Sequence, residues 1–373
     1  MRTLLVIGLF ALATFAGCMD SPDPTPAGTQ VDHSAAGPGA PQVDGAALVA
    51  QLRTFAEDMP VRAANGPDHE AARDWLMAEF ASFGLDTHRQ DYDTGNLAGQ
   101  ANILGIKWGE RRDEWIVVGG HYDIVACARS PRQPSELPLP PGTVPRQELC
   151  TPVDPLQSQG MYDDASGTMM TVHLAKAYAN VNTTYTMVFV AFDGEELGLE
   201  GSGAFVEHFA SGNSSFGDVS IHAMLDLDMF GLNCPGVDAP IYFDSNSPTL
   251  DDTVRGLVAE LGFPCEAKYQ GISLGRSDYD HFFTLGVPTG FFISSFEEYQ
   301  APMDVPAPGQ QDRAPLNAYP FWHQFDTWET MVAMAGSEAD VVSGFQAAVD
   351  LASGLLWSMD DPDVVYVAKA LED

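Results

Sequence analysis

Basic residues are scarce in this sequence. Only 17 lysines and arginines stand against 52 aspartates and glutamates, which gives a formal net charge of −35 at pH 7. A protein that binds nucleic acid or an anionic membrane surface needs clustered positive charge to neutralise phosphates. The composition therefore argues against both kinds of partner. It favours a hydrated acidic surface and leaves cationic peptides as possible ligands.

A long apolar run is missing from the N-terminal region. The run from Leu4 to Phe15 is shorter than the roughly 20 residues that a membrane-spanning helix needs. It follows Arg2 and precedes an FAGC motif that resembles a lipobox, with phenylalanine in place of the usual aliphatic residue. We expect residues 1–18 to be a signal peptide and Cys18 to carry lipid, with a plain cleaved signal or an uncleaved anchor as alternatives. The protein is then extracytoplasmic, either a cell-envelope lipoprotein or secreted.

Cysteine is also rare, with five residues and no CxxC pair, so we do not expect a cysteine-type zinc site. Beyond Cys18 four cysteines are left, and an even number in an exported protein suggests disulfides, for which four cysteines allow three pairings. Four free thiols are the alternative. We favour the pairing that closes two local loops, Cys127 with Cys150 and Cys234 with Cys265.

The remaining sequence divides into a tether and one domain. Residues 19–43 are rich in proline and glycine and lack apolar periodicity, so we expect them to be disordered. Residues 44–373 are long enough for a single large domain. Within it, residues 127–159 are proline-rich and aperiodic and are predicted to form a surface insertion.

Alternating apolar segments in the domain predict an α/β fold: a three-layer sandwich in which a mixed, mostly parallel sheet carries helices on both faces. Helices are recognised by apolar residues at helical spacing. The predicted helices are 44–58, 67–83, 165–179, 199–210, 248–261, 277–285 and 336–357. The predicted strands are 86–92, 100–107, 115–118, 186–192, 219–227, 240–244 and 288–293.

Acidic and histidine side chains follow several predicted strands where each strand ends. His121 and Asp123 follow the third strand, Glu195 and Glu196 the fourth, and Asp228 ends the fifth. Ligands of α/β folds bind at the carboxyl ends of the strands. Two adjacent glutamates at a buried edge would cost several kcal/mol unless they bind a cation or share a proton. The pattern indicates a cation site, with a solvated turn as the alternative for the two glutamates.

Taken singly, these residues have ordinary explanations. Asp163 and Asp164 precede a predicted helix and would cap it, and His323, which lies near Asp326 in an aromatic stretch, is uninformative alone. Taken together, two histidines and three or four carboxylates suffice for two metal ions that share a bridging carboxylate. We expect two Zn²⁺ ions, although the donor set also suits cobalt or manganese.

The ordered motifs resemble a known family, the co-catalytic zinc exopeptidases of clan MH, in the branch of secreted aminopeptidases that is related to glutamate carboxypeptidases and glutaminyl cyclases. The resemblance covers residues 45–335, and the ordered set is specific although no single motif is. The motifs are HYD at 121–123, DDASG at 163–167, DGEELGLEGS at 193–202, LDM at 227–229, SDYDHF at 277–282, GVP at 286–288 and His323-x-x-Asp326.

The resemblance implies one bridging metal ligand, four terminal ligands, a general base and two carboxylates that orient the histidines. The bridging ligand is Asp163, and the terminal ligands are His121 and Asp228 for one zinc and Glu196 and His323 for the other. Glu195 is the general base, which takes a proton from a metal-bridged water. Asp123 and Asp326 accept hydrogen bonds from His121 and His323.

The implied activity is that of an aminopeptidase, which releases N-terminal residues from peptides. Trp322 stands where the family often has a tyrosine that donates to the oxyanion, and an indole N–H can take that role. A tryptophan at this position also resembles the sequence pattern of glutaminyl cyclases. Cyclisation of N-terminal glutamine is therefore an alternative activity. A non-catalytic surface-binding domain on the same fold is a second alternative, although this chain keeps all five ligand positions. The sequence leaves the oligomeric state open.

Overall fold

The structure of the protein is a computed structural model. The described residues are 39–94, 97–125, 127–128, 151–152, 159–209, 216–233, 240–264, 266–271, 277–294 and 326–369. Within these ranges no helix is long and apolar enough to cross a membrane.

Helices and strands alternate along the described chain as predicted. The helices are α1 Gly45–Asp58, α2 His69–Ser82, α3 Ala165–Tyr178, α4 Glu200–Phe209, α5 Pro248–Glu260, α6 Asp280–Thr284, α7 Trp328–Ala335 and α8 Glu338–Met359. The strands are β1 Asp86–Thr94, β2 Leu97–Lys107, β3 Arg111–His121, β4 Cys127–Ala128, β5 Thr151–Pro152, β6 Tyr185–Phe192, β7 Ser220–Leu227, β8 Ile241–Ser245, β9 Ala267–Gly271 and β10 Thr289–Ser294.

Eight of these strands form one mixed sheet in the order β1-β2-β6-β3-β7-β10-β8-β9. The central strands β6, β3, β7 and β10 run parallel to one another, and β8 is parallel to β9. The remaining pairs, β1–β2, β2–β6 and β10–β8, are antiparallel. Every residue of β6 is buried, as expected for a central strand that is covered on both faces.

Helices cover both faces of the sheet, as strand β2 shows. Gly105 faces α2, where a Cβ at this position would lie 2.7 Å from Cγ of Phe80. Asn102, three residues earlier and on the opposite face, donates from Nδ2 to the carbonyl oxygen of Gly201 in α4 (2.8 Å). The predicted α/β sandwich is thereby confirmed.

Four short elements, β4, β5, β9 and α7, were not predicted from the sequence, and the ends of α6 were misplaced. Helix α6 is only five residues long, because the residues before Asp280 form a turn within the predicted helix 277–285. Strand β9 lies at the sheet edge and lacks a strong apolar pattern. Helix α7 is absent from the predicted helices, but Thr327 caps it by accepting from the amide of Thr330 (3.3 Å), and Gly336 at φ +102° separates it from α8.

The end of the predicted tether packs against the domain. Ser353 of α8 donates its hydroxyl to the carbonyl oxygen of Pro41 (2.7 Å), and Gln346 donates to the carbonyl oxygen of Val43 (3.0 Å). Val43 is buried. The folded domain therefore begins before residue 44, and within the described residues it includes residues 39–43.

Two segments of the predicted insertion, 127–128 and 151–152, lie side by side. Strands β4 and β5 pair antiparallel, with Cys127 opposite Pro152 and Ala128 opposite Thr151. Cys150, Cys234 and Cys265 lie outside the described residues, so both disulfides stay predictions.

Candidate active site

The three adjacent parallel strands β6, β3 and β7 end at the same edge of the sheet. His121 is the last residue of β3, Glu195 and Glu196 follow β6, and Asp228 follows β7. Helix α3 begins at this edge, with Asp163 just before its first turn. The sheet thus brings together side chains that are more than 100 positions apart in sequence.

Two glycines allow the first turn of α3 to approach the strand ends closely. A Cβ at Gly167 would overlap the carbonyl oxygen of Leu227, the last residue of β7. A Cβ at Gly120 would lie 2.5 Å from the same oxygen and 2.7 Å from Oδ2 of Asp164. Glycine is required at both positions because the backbones of helix and strands are in direct contact.

His121 is buried among three aspartates. Its Nε2 lies 3.0 Å from Oδ1 of Asp163 and 3.9 Å from Oδ1 of Asp228, and its Nδ1 lies 3.1 Å from the carbonyl oxygen and 3.4 Å from Oδ1 of Asp123. Burial lowers the pKa of His121, but the carboxylates of Asp123 and Asp163 raise it by more, so the result is well above the ordinary value. Asp123 holds one ring nitrogen and leaves the other facing the aspartates.

The two consecutive aspartates before α3 have different surroundings. Asp164 also comes within 4.8 Å of His121 and Asp228. Its Oδ1, however, accepts from the amides of Gly167 (2.7 Å) and Met229 (3.1 Å), and its Oδ2 from the amide of His121 (3.2 Å). Asp164 is therefore the helix cap that ties α3 to two strand ends, whereas Asp163 presents its carboxylate to the imidazole.

The arrangement fits a metal ion. Oδ1 of Asp228 is buried and accepts no hydrogen bond from the described residues, whereas its Oδ2 accepts from the hydroxyl of Ser277 (3.0 Å). Ligand bonds of about 2.1 Å in a tetrahedral shell place donor atoms about 3.4 Å apart. The 3.0 and 3.9 Å spacings from Nε2 of His121 bracket that value. The described residues thus contain a candidate metal site.

The loop that carries the two glutamates is fastened to the same histidine. Oδ1 of Asp123 accepts from the amide of Glu195 (3.2 Å) and Oδ2 accepts from the amide of Glu196 (3.3 Å). Asp123 therefore contacts both the imidazole of His121 and the backbone of the glutamate pair. Any shift of this carboxylate would move both groups.

Carboxylates dominate the electrostatics of the site. Burial raises the pKa of Glu195 well above its ordinary value; His121 lowers it, and Glu196 and Asp228 raise it. Burial likewise raises the pKa of Asp228 to about 8, with His121 opposing the rise and Asp163 adding to it. So many buried acids in contact cannot all be ionised without a compensating cation.

Asp326, predicted to orient His323, also holds the segment that carries Asp163. Its Oδ1 accepts from the amide of Tyr162 and its Oδ2 from the amide of Asp163, both at 2.8 Å. Its role toward His323 stays a prediction, because His323 and Trp322 lie outside the described residues.

A buried ionic network beneath the glutamate loop was not predicted from the sequence. Oδ1 of Asp193 lies 2.8 Å from Nε2 of His69, and its Oδ2 accepts from Nη2 of Arg73 (2.7 Å) and from the amide of Ala101 (2.8 Å). The signal was present, since His69 and Arg73 lie on the same helix face as the buried Leu76. Polar residues on an apolar face need buried partners.

A sheet whose parallel strand ends gather a histidine and several buried carboxylates is typical of metal-dependent hydrolases. The chain belongs to peptidase family M28, whose family model matches residues 102–341.

Curated relatives include leupeptin-inactivating enzyme 1 of Streptomyces exfoliatus, which is 25% identical over 297 residues that make up 79% of this chain and 58% of the relative. Aminopeptidase YwaD of Bacillus subtilis is 29% identical over 139 residues, or 36% of this chain and 29% of the relative. The chain therefore spans less than two thirds of the length of either relative.

Solved structures share the fold. A zinc aminopeptidase from Bacillus subtilis aligns with a TM-score of 0.59 at 14% identity, covering 89% of this chain and 97% of that one. A glutaminyl cyclase from an Acidobacteriales bacterium aligns with a TM-score of 0.61 at 18% identity, covering 90% and 99%. At these identities the likeness concerns the fold alone, and both activities occur on it.

Proposed function

We propose that this protein is a di-zinc aminopeptidase that hydrolyses N-terminal residues from peptides. The observation that carries the proposal is the buried cluster in which Nε2 of His121 faces Oδ1 of Asp163 and Oδ1 of Asp228. Membership of peptidase family M28 and the relative named as an aminopeptidase support the reaction class.

The proposed ligand set uses five side chains. Asp163 would be shared by the two ions, His121 and Asp228 would help to hold one, and Glu196 and His323 would help to hold the other. Bound zinc would polarise the peptide carbonyl, and it would lower the pKa of a bound water to near neutrality. Asp123 fixes the imidazole of His121 from behind, while Asp326 holds the backbone of Asp163.

Glu195 is the proposed general base. Its carboxylate accepts a proton from the attacking water and later delivers it to the leaving amine. A carboxyl whose pKa is raised by burial is a stronger base than an exposed one, which suits this task. Trp322 is the proposed donor to the oxyanion through its indole N–H.

A substrate panel tests the proposed reaction. Purified protein with added zinc should release the first residue from leucine-anilide and from free-amine peptides, and it should leave N-acetylated peptides intact. If the protein converts only N-terminal glutaminyl peptides and hydrolyses no peptide bond, the aminopeptidase assignment would be wrong and a glutaminyl cyclase would be favoured. Binding of peptides without conversion of any of them would favour the non-catalytic domain.

We further propose that the protein is exported with a lipid on Cys18 and with two disulfides, Cys127–Cys150 and Cys234–Cys265. Peptide mapping without reductant should recover both linked pairs, and mass spectrometry of the membrane fraction should find a diacylated N-terminal Cys18. Recovery of four alkylatable thiols would contradict the two disulfides. Recovery of a soluble chain cleaved elsewhere would contradict the lipid on Cys18.

A further inference from the structure

Arg62 is a buried arginine in the loop between α1 and α2. Its exposed fraction is 0%, and its guanidinium lies 4.8 Å from the ring centroid of Phe55. It forms no ion pair with any carboxylate of the described residues. Burying a cation without a paired anion costs several kcal/mol unless its N–H groups are well satisfied.

The guanidinium donates to four backbone carbonyls instead. Nε donates to Tyr122 (2.8 Å), Nη1 to Met59 (2.9 Å) and Gln159 (3.0 Å), and Nη2 to Gly160 (3.1 Å). One planar group thus connects its own loop to two other chain segments, which lie 60 and 98 positions further along the chain. Only arginine has this rigid fork of donors.

Two of the connected segments carry proposed metal ligands. Tyr122 directly follows His121, and Gln159 and Gly160 open the segment that leads to Asp163. Gly160 has φ +56°, and a Cβ there would lie 3.0 Å from Nη2 of Arg62, so its carbonyl reaches the guanidinium only because the residue is glycine.

Asp326 holds the same segment from another side. The amide of Gln159 donates to the carbonyl oxygen of Asp326 (2.7 Å), and the Asp326 carboxylate accepts from the amides of Tyr162 and Asp163. Residues 159–163 are therefore held by the guanidinium of Arg62 at one end and by Asp326 along their length. The position of Asp163 relative to His121 depends on both supports.

Burial lowers the pKa of Arg62 to about 10, and the carboxylates of Asp326, Asp123 and Asp164 oppose that change. The guanidinium thus stays charged at neutral pH. Its charge sits behind the acidic cluster, where it partly offsets the repulsion among the carboxylates before any metal binds.

We propose that Arg62 is a positioning residue for the metal centre: its guanidinium fixes the strand end that carries His121 relative to the segment that carries Asp163. The inference rests on the proposed function, because it assigns Arg62 a task only if those two side chains bind metal. Arg62 does not itself reach the ions or the substrate.

The test compares Arg62→Lys with Val254→Ala. Lysine keeps the charge, but its three donors share one nitrogen on a flexible stem and cannot reproduce the fixed fork of hydrogen bonds to four carbonyls. Val254 is fully buried in α5, so its truncation lowers the melting temperature without touching the site. Both proteins are prepared metal-free as full chains, and zinc affinity is measured by competition with a chelator at a temperature where both are folded.

Arg62→Lys should weaken zinc binding by about 10- to 100-fold, as loss of groups that orient metal ligands does. Its cobalt-substituted form should show a shifted visible absorption spectrum, because the ligand geometry changes. In the metal-free protein, amides of residues 119–125 and 159–166 should exchange hydrogen about tenfold faster than in wild type. Val254→Ala should keep the zinc affinity and the cobalt spectrum of wild type.

Wild-type zinc affinity in Arg62→Lys would overturn the role of Arg62 and leave the proposed function intact. A wild-type chain that binds no zinc would instead contradict the proposed function. Should Arg62→Lys fail to fold, the wild-type protein labelled with ¹⁵N-arginine provides the readout. Zinc should slow exchange of the Arg62 Nε proton, and an unchanged rate on loading would contradict the proposal.

Discussion

At the scale of single residues, Glu195 is positioned through its backbone. Its amide donates to Asp123, which also contacts His121, so the proposed base and the proposed ligand share one support. The Glu195 carboxylate takes no part in this backbone contact.

Glu195→Gln should keep the metal and lose activity, because the amide occupies the same volume but cannot accept the proton. We expect kcat to fall by about 10²- to 10⁴-fold, with zinc content per chain unchanged by mass spectrometry. Glu207→Gln, an exposed change of the same type in α4, is the control and should leave kcat near wild type. Near-normal turnover in Glu195→Gln would remove it from the mechanism.

Asp123→Asn should weaken metal binding rather than stop chemistry outright. Both carboxylate oxygens of Asp123 accept hydrogen bonds from backbone amides. In asparagine one of these oxygens is replaced by an NH₂ group, which is a donor and would face a backbone N–H donor. Zinc affinity should fall by about 10- to 100-fold, measured by chelator competition. An affinity equal to wild type would show that the support of His121 and the glutamate loop does not depend on this carboxylate.

At the scale of elements, the contact between α3 and the strand ends decides where Asp163 lies. Gly167→Ala should destabilise the protein by about 1–3 kcal/mol or more, since its Cβ overlaps the carbonyl oxygen of Leu227. Gly256→Ala in α5 is the matched control: its Cβ meets nothing within 4 Å, so it should stabilise by about 0.5–1 kcal/mol. Chemical denaturation measures the free energy of unfolding of both variants. An equal change in the two variants would contradict the close packing of α3 on the strand ends.

The packing of α1 on α3 should make stability depend on pH through His173. This residue is buried, and its Nε2 lies 2.7 Å from Oε1 of Gln51. Burial lowers its pKa from 6.5 to about 4, with Lys176 lowering it further and Asp44 opposing.

A lowered histidine pKa means that the unfolded chain binds the proton first, so this contribution to stability is present above pH 6.5 and is lost as pH falls towards 4. The loss for one such group is about 3 kcal/mol. His173→Gln should remove this component, which is read as the difference in unfolding free energy between variant and wild type across pH 7 to 4. Parallel pH profiles would contradict it.

At the scale of the whole molecule, the sequence predicted the sheet, most helices and the strand ends that carry the site. Apolar strands such as β6 and glycine or aspartate at their ends are local signals, and they locate His121 and Glu196 without tertiary information. β9 and α7 were missed because an edge strand and a short capped helix have little periodicity.

The supports of the site were less predictable. Arg62, Arg73 and Asp193 act through backbone carbonyls or through partners that are 60 to more than 100 positions away. Only the folded arrangement defines such contacts, and a buried cation resembles a surface residue in sequence. The distinct surroundings of Asp163 and Asp164 likewise arise from the turn before α3, where Asp164 accepts from the backbone amide of His121 and Asp163 faces the imidazole of the same residue.

The central claim is a centre of two zinc ions that drives hydrolysis. Metal-free protein should be titrated with zinc while bound metal and leucine-anilide hydrolysis are followed together. The proposed function predicts two ions per chain and full activity only near the second equivalent. Saturation with no ion or one ion, or peptide hydrolysis that persists in the metal-free protein, would contradict it.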